Sequence, residues 1–232
     1  MPVWFITGTS RGIGLELTKQ LAANEVNTIV ASCRSPASAI QLSELASKHK
    51  NVHIVALDVL KKETMRDAFE KTQAIVGLNG VDYLINNAGI AHADTAADVM
   101  PDDLGLAFRT HVIGMLLVFR TFLPLVRAGA RKVVVNVSSG LGSIGCDLGA
   151  RYSSYGIAKA GLNMLTYKME KQYPELIIFP FTPGHIKTDL GGPTAPLDLE
   201  FAVAKHIPLI ESATKETHAG RFLDLNGNVL PW

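Results

Sequence analysis

The chain has 232 residues, of which 47% are apolar, enough for the core of one α/β domain. Lys and Arg number 22 against 21 Asp and Glu, for a formal net charge of +1, with no basic block or acidic tail, so nucleic acid is not expected as a partner. No apolar run of about 18 residues is free of charge; the longest, Val112 to Val126, contains Arg120 and Pro124, so no membrane span is expected.

The first predicted strand, 3–7, leaves no room for a removable leader before it, and a cytoplasmic location is expected. It runs directly into Gly8-Thr9-Ser10-Arg11-Gly12-Ile13-Gly14, which opens a predicted helix over 12–24 with Ile13, Leu17 and Leu21 on one face. Glycines allow close backbone approach and positive φ, and a helix start presents unpaired N–H groups to an anion, so this turn suits the diphosphate of a dinucleotide. Its spacing is G-x3-G-x-G, and glycine-rich turns also serve simply to join strand to helix.

Further strands are predicted at 28–32, 52–56, 82–86, 132–137 and 176–182, with a weaker one at 221–224. Helices are predicted at 36–49, 61–78, 102–128, 152–172 and 199–212. Strand runs such as Thr28-Ile29-Val30-Ala31 lack in/out alternation, as in a parallel sheet covered on both faces. The predicted fold is therefore a doubly wound Rossmann-type α/β sheet in one domain spanning 1–232. The helix over 102–128 is apolar nearly all round at Met115-Leu116-Leu117-Val118-Phe119, and either a second copy of the chain or its own neighbours must cover it. Cys33 and Cys146 have no metal-ligand spacing and are expected to be reduced thiols; no metal is expected.

Two features carry the chemistry. Tyr155 and Lys159 lie one helical turn apart, which sets an ammonium beside a phenol. A nearby positive charge favours phenolate, so the lysine is expected to lower the phenol pKa and ready it for proton exchange with a substrate oxygen. Tyr152 competes for this role, but the residue four positions on is Gly156, which carries no charge. The fifth strand ends in Ser138-Ser139, placing hydroxyls at the carboxyl edge of the sheet, where they can contact a carbonyl oxygen or simply shape a turn.

Taken in order, these motifs resemble those of the short-chain dehydrogenase/reductase family. The matching positions are the glycine turn, Asp58-Val59, Asn86-Asn87-Ala88-Gly89, Ser139, Tyr155-x3-Lys159 and Pro183-Gly184-x3-Thr188. The ending Gly220-Arg221-Phe222-Leu223-Asp224 through Pro231-Trp232 is similar to the C-factor-like carbonyl reductase branch. The resemblance implies a seven-stranded sheet of order 3-2-1-4-5-6-7 and hydride transfer between nicotinamide and a carbonyl carbon. It implies Tyr155 as proton donor, Ser139 as hydrogen-bond donor to the carbonyl, and Lys159 on the ribose. Cofactor contacts are implied for Gly8, Ser10, Arg11, Gly12, Ile13, Gly14, Asp58, Val59, Asn87, Ala88, Gly89, Tyr155, Lys159, Pro183, Gly184, Ile186 and Thr188.

Where the family usually has Asn in the fourth helix, this chain has His111, which either holds the water behind the lysine or is a satisfied helix histidine. Residues Gly142 to Arg151 lengthen the loop between Ser139 and Tyr155. The end of the second strand reads Ala31-Ser32-Cys33-Arg34-Ser35, with an arginine and no acid. With Arg11 it favours the 2′-phosphate of NADP(H), unless Arg34 is a solvated loop residue. Leu141, Ile144, Cys146 and Leu190 are expected to line the substrate pocket, with Ala91 and His92 near the nicotinamide. The reading is thus an NADPH-dependent carbonyl reductase, a homodimer or tetramer; the alternatives are a reductase of a larger cyclic or polyketide-type ketone, and an NADP-binding regulator without turnover.

Overall fold

All five residues of the first strand, β1 (Val3–Thr7), are buried, because the pleat sends alternate side chains to opposite faces and both faces are covered. Val3 and Phe5 enter one apolar core; Trp4 and Ile6 enter another on the far side of the sheet. The computed structural model describes residues 1–232. β1 joins β2 (Thr28–Cys33), β3 (Val52–Ala56), β4 (Tyr83–Asn86), β5 (Val133–Val137) and β6 (Ile177–Phe181) in one parallel sheet of order β3-β2-β1-β4-β5-β6.

Helices α1 (Gly12–Ala22), α2 (Ile40–Lys48) and α7 (Leu199–Glu211) contribute to the core around Trp4 and Ile6. Helices α3 (Lys62–Val76), α5 (Met115–Ala128) and α6 (Ser153–Gln172) contribute to the core around Phe5. There Phe122 of α5 packs on Phe5 with ring centroids 4.0 Å apart. Helix α4 (Pro101–Phe108) continues through a π-helical stretch, Arg109–Gly114, into α5, giving one 28-residue helix. By length and composition that helix could cross a membrane; here Met115, Val118, Phe119 and Phe122 are buried in the core. Its own neighbours therefore cover most of the apolar ring anticipated at Met115–Phe119, leaving Leu116 and Leu117 half-buried.

Two expectations need correction. The helix foreseen over 36–49 is a 3₁₀ turn, Pro36–Ser38, followed by α2, because Ala39 adopts a non-helical conformation between them. The seventh strand shrinks to a single parallel bridge between Leu223 and Phe181. Asp224 ends it: its carboxylate accepts hydrogen bonds from the backbone N–H groups of Asn226 and Asn228, turning the chain back before a ladder can form.

Candidate active site

Because all six strands are parallel, their carboxyl ends meet on one edge, and the sequence motifs sit there. Gly8 has φ +73° and Gly12 φ +57°, conformations that favour glycine. A Cβ on Gly8 would lie 2.7 Å from Ala88 Cα, and one on Gly14 would lie 2.6 Å from Asn87 Nδ2. The turn is tied down from both sides. Gly8 N donates to Ser32 O at 2.9 Å, and Asn87 Nδ2 donates to Thr7 O at 2.9 Å, while the backbone N–H groups of Asn87 and Ala88 donate to Thr7 Oγ1.

The α1 N-terminus has no side-chain cap and no acid in its first turn, so its leading N–H groups stay available to an anion. Ser10 is exposed beside it, and Ile13 packs on the core behind. Thr188 crosses the turn, its methyl 3.8 Å from a Cβ built on Gly12, which brings the Pro183–Thr188 loop over the glycines; Ile186 within it is buried. Arg11 is exposed, with Nε 3.4 Å from Asp189 Oδ2. Arg34 is exposed at the end of β2 and forms no ion pair. At the end of β3, Asp58 accepts from Leu60 N through Oδ1, and Val59 is buried. An uncapped helix start, a side-chain-free cradle and an unpaired guanidinium together fit a phosphorylated dinucleotide.

Tyr155 and Lys159 share the buried face of α6, at 9% and 3% exposure, with Lys159 Nζ 5.4 Å from the phenol ring centroid. Nζ donates to Val137 O at 2.6 Å. Burial pushes the Tyr155 phenol up to about 12, against a smaller downward pull from its hydrogen bond with Ser139. Burial also drives the Lys159 ammonium down to about 7. The expectation that the lysine lowers the phenol is therefore not met: desolvation dominates at Tyr155, opposed only by the Ser139 hydrogen bond, and burial disfavours the Lys159 ammonium as well. Tyr155 is neutral at physiological pH and carries the proton a reduction would need.

The two serines at the end of β5 part company. Ser138 is buried and donates to Asn163 Oδ1, a structural role. Ser139 is half-buried, and its Oγ accepts from Leu141 N at 3.2 Å. Tyr152 precedes α6 in a left-handed conformation, φ +61°, with Arg151 over its ring at 5.8 Å.

His111 lies in the π-helical stretch, fully buried, with Nε2 2.7 Å from Ile90 O. Burial first, and the charge of Lys159 second, bring it down to about 3. Gly89, beside it, has no space for a side chain: a Cβ there would lie 2.7 Å from His111 Cε1. Of the residues expected around the substrate, Leu141 and Cys146 are half-buried. Ile144 stands 92% exposed in solvent, and Leu190 is also exposed. Ala91 is half-buried, and His92 Nδ1 lies 3.7 Å from Asp103 Oδ1.

Three supporting features escape sequence reading. Asp94 fixes the start of α6: its backbone O accepts from Tyr152 N at 2.7 Å and its Oδ1 from Ser154 N at 3.0 Å. A carboxylate in this position also suits the positive end of the helix, and such caps contribute about 1 kcal/mol. Beneath the site, Asn86 Nδ2 donates to Asn136 Oδ1 and Asn136 Nδ2 to Thr166 Oγ1, both at 2.8 Å, joining β4, β5 and α6. His206 of α7, fully buried, lies with Nε2 2.9 Å from Pro183 O and so holds the loop whose Gly184 turns at φ +94°.

Residues 2–196 match the family model described as short chain dehydrogenase. An uncharacterised oxidoreductase of Schizosaccharomyces pombe is 37% identical over 190 residues, 81% of this chain and 74% of that protein. The carbonyl reductase Sniffer of D. melanogaster superposes with a TM-score of 0.94 at 26% identity, covering 100% of both chains. The NADPH-bound carbonyl reductase from chicken fatty liver gives a TM-score of 0.93 at 31% identity, covering 100% of this chain and 94% of that one.

Proposed function

The chain belongs to the short-chain dehydrogenase family and is an oxidoreductase with a nicotinamide cofactor, and we propose that it is an NADPH-dependent carbonyl reductase acting on ketones or aldehydes. The observation that carries this reading is the buried Tyr155–Lys159 pair beside Ser139 at the carboxyl end of β5.

When bound, the nicotinamide supplies the hydride. The chain's own groups bind and move the proton. The glycine turn and the α1 N-terminus receive the diphosphate. Arg34 takes the 2′-phosphate, a preference supported by the absence of any acid at the end of β2. Lys159, in its ammonium form and with one N–H spent on Val137 O, has two left for ribose hydroxyls. Ser139 donates to the substrate carbonyl oxygen and Tyr155 delivers its proton there, turning the carbonyl into an alcohol. Leu141 and Cys146 support a substrate with an apolar body.

The test is NADPH oxidation against a panel of ketones and aldehydes. Tyr155→Phe is expected to lower kcat by roughly 10²- to 10⁴-fold while NADPH still binds. A Phe variant as active as the wild type would remove the assignment.

A further inference from the structure

The loop that follows Ser139 is held by a segment more than eighty residues further along the chain. Ser139 leads into a 3₁₀ turn, Gly140–Gly142, seated against α6 so tightly that a Cβ on Gly142 would lie 2.7 Å from Lys159 Cβ. From there Ser143–Cys146 runs out toward solvent, and it contacts residues 231 and 232. Ser143 Oγ donates to Pro231 O at 2.7 Å and accepts from Cys146 N at 3.1 Å. Gly145 N donates to Trp232 O at 3.3 Å, and a Cβ on Gly145 would meet Pro231 Cβ at 2.7 Å.

The far end of this contact is itself anchored. Trp232 stacks on Phe222, ring centroids 5.9 Å apart at 24°, and meets Tyr167 of α6 edge-on at 6.3 Å. Phe222 is fully buried, and its O accepts from Leu230 N at 2.8 Å. The indole thus ties residue 232 to the catalytic helix and the core, while its backbone O and that of Pro231 hold the loop after Ser139. Its 46% exposure shows that it is not simply a core residue.

We propose that Pro231-Trp232 is a strap that sets the position of Ser143–Cys146 on the substrate side of Ser139, making Trp232 a specificity-determining positioning residue for the carbonyl substrate; this rests on the carbonyl reductase reading. Without the strap the loop has few other hydrogen-bond anchors, and it fluctuates where an apolar substrate body must rest. No hydrogen bond or ring contact joins Pro231-Trp232 to the glycine turn, Arg34 or the Pro183–Thr188 loop, so cofactor affinity is not expected to depend on the strap.

Trp232→Ala, Ser143→Ala and Gly145→Ala each loosen the strap at a different point, and Trp232→Phe keeps the aromatic anchor. In Trp232→Ala, amide hydrogen exchange at residues 143–146 is expected to rise about tenfold, a local opening, with Gly8–Gly14 unchanged. The ketone KM is expected to rise about tenfold, with kcat and the NADPH KM within about twofold, the pattern of lost uniform substrate binding. Trp232→Phe restores both. Unchanged exchange at 143–146, or an unchanged ketone KM, would overturn the strap. A wild-type protein that reduces no carbonyl compound would count against the functional reading instead, and the exchange comparison would still decide whether the strap holds the loop.

Discussion

His111 stands edge-on to Tyr155, ring centroids 5.3 Å apart at 86°, and its Nε2–H is committed to the carbonyl of Ile90, which leaves Nδ1 buried without a partner. With its pKa held at about 3, the ring is neutral at neutral pH and does not repel Lys159. Its Nδ1 offers one acceptor in the interior, which an ordered water would satisfy.

That neutrality has a measurable cost in acid. Between about pH 3 and 6.5 the unfolded chain binds a proton at His111 that the folded chain refuses, and at His206, held at about 4 by burial, the same holds from 6.5 down to 4. Both folded values are depressed, so stability falls as pH falls through these windows, by up to about 1.4 kcal/mol per pH unit for each group. Thermal unfolding of the cofactor-free protein should show Tm dropping from pH 6.5 to 4.5, and His111→Asn or His206→Asn should make that drop shallower. Parallel Tm profiles in wild type and variants would contradict this.

Cofactor choice is expected to rest on Arg34. Arg11 already faces Asp189 in an exposed pair, a contact worth little by itself, whereas the Arg34 guanidinium, just past the end of β2, has no ion-pair partner. Arg34→Asp should raise the NADPH KM by roughly 10- to 100-fold, the equivalent of one charge-assisted hydrogen bond of about 1.5–3 kcal/mol. The NADH KM should change little. Equal effects on both cofactors would detach Arg34 from the 2′ position.

The direction of the reaction should divide by pH. A phenol at about 12 is protonated across the neutral range and ready to give its proton in reduction, but alcohol oxidation requires it as phenolate. The kcat/KM for oxidation should therefore climb with pH from 7 to 10, while Tyr155 imposes no matching loss on reduction over neutral pH. An oxidation profile that is flat from 7 to 10 would show that another group is the base.

Assembly is expected through the outer face of α4 and α6. Ile157 and Met164 are exposed on one face of α6 with Gly161 between them, and Phe108 of α4 packs beside that glycine, a Cβ on which would lie 3.1 Å from the phenyl ring. Phe108 is itself 40% exposed, so the three side chains form an apolar patch that a second copy would cover. Light scattering should give about 50 kDa, two copies of 25.0 kDa, and Met164→Glu should return the monomer with unchanged circular dichroism. A wild-type mass of 25.0 kDa would end this reading.

What the sequence made legible was local. The six strands follow from short runs rich in apolar and β-branched residues, and the glycine turn and the Tyr155–Lys159 pair each declare themselves within a few neighbouring positions. What stayed hidden depended on distance or on burial. Asp94 reaches a helix start sixty positions away, and His206 meets Pro183 O across 23 positions. The raised phenol follows from the exclusion of water around Tyr155, a property of the packed site rather than of the Tyr-x3-Lys spacing. Ile144 is apolar, yet the loop it sits in is held by hydrogen bonds of Ser143 and Gly145 to residues 231 and 232, and its side chain is left in solvent.

The Asn86–Asn136–Thr166 chain of amides and hydroxyl does more than fill space beneath the site. A slip of one residue between β4 and β5 would turn the asparagine of the slipped strand to the opposite face and part the two amides. The polar trio therefore acts as an alignment key, fixing by one residue the step at which Ser139 and Asn87 emerge from neighbouring strands. Insertions or deletions within those strands should be rejected during folding, before any effect on chemistry arises.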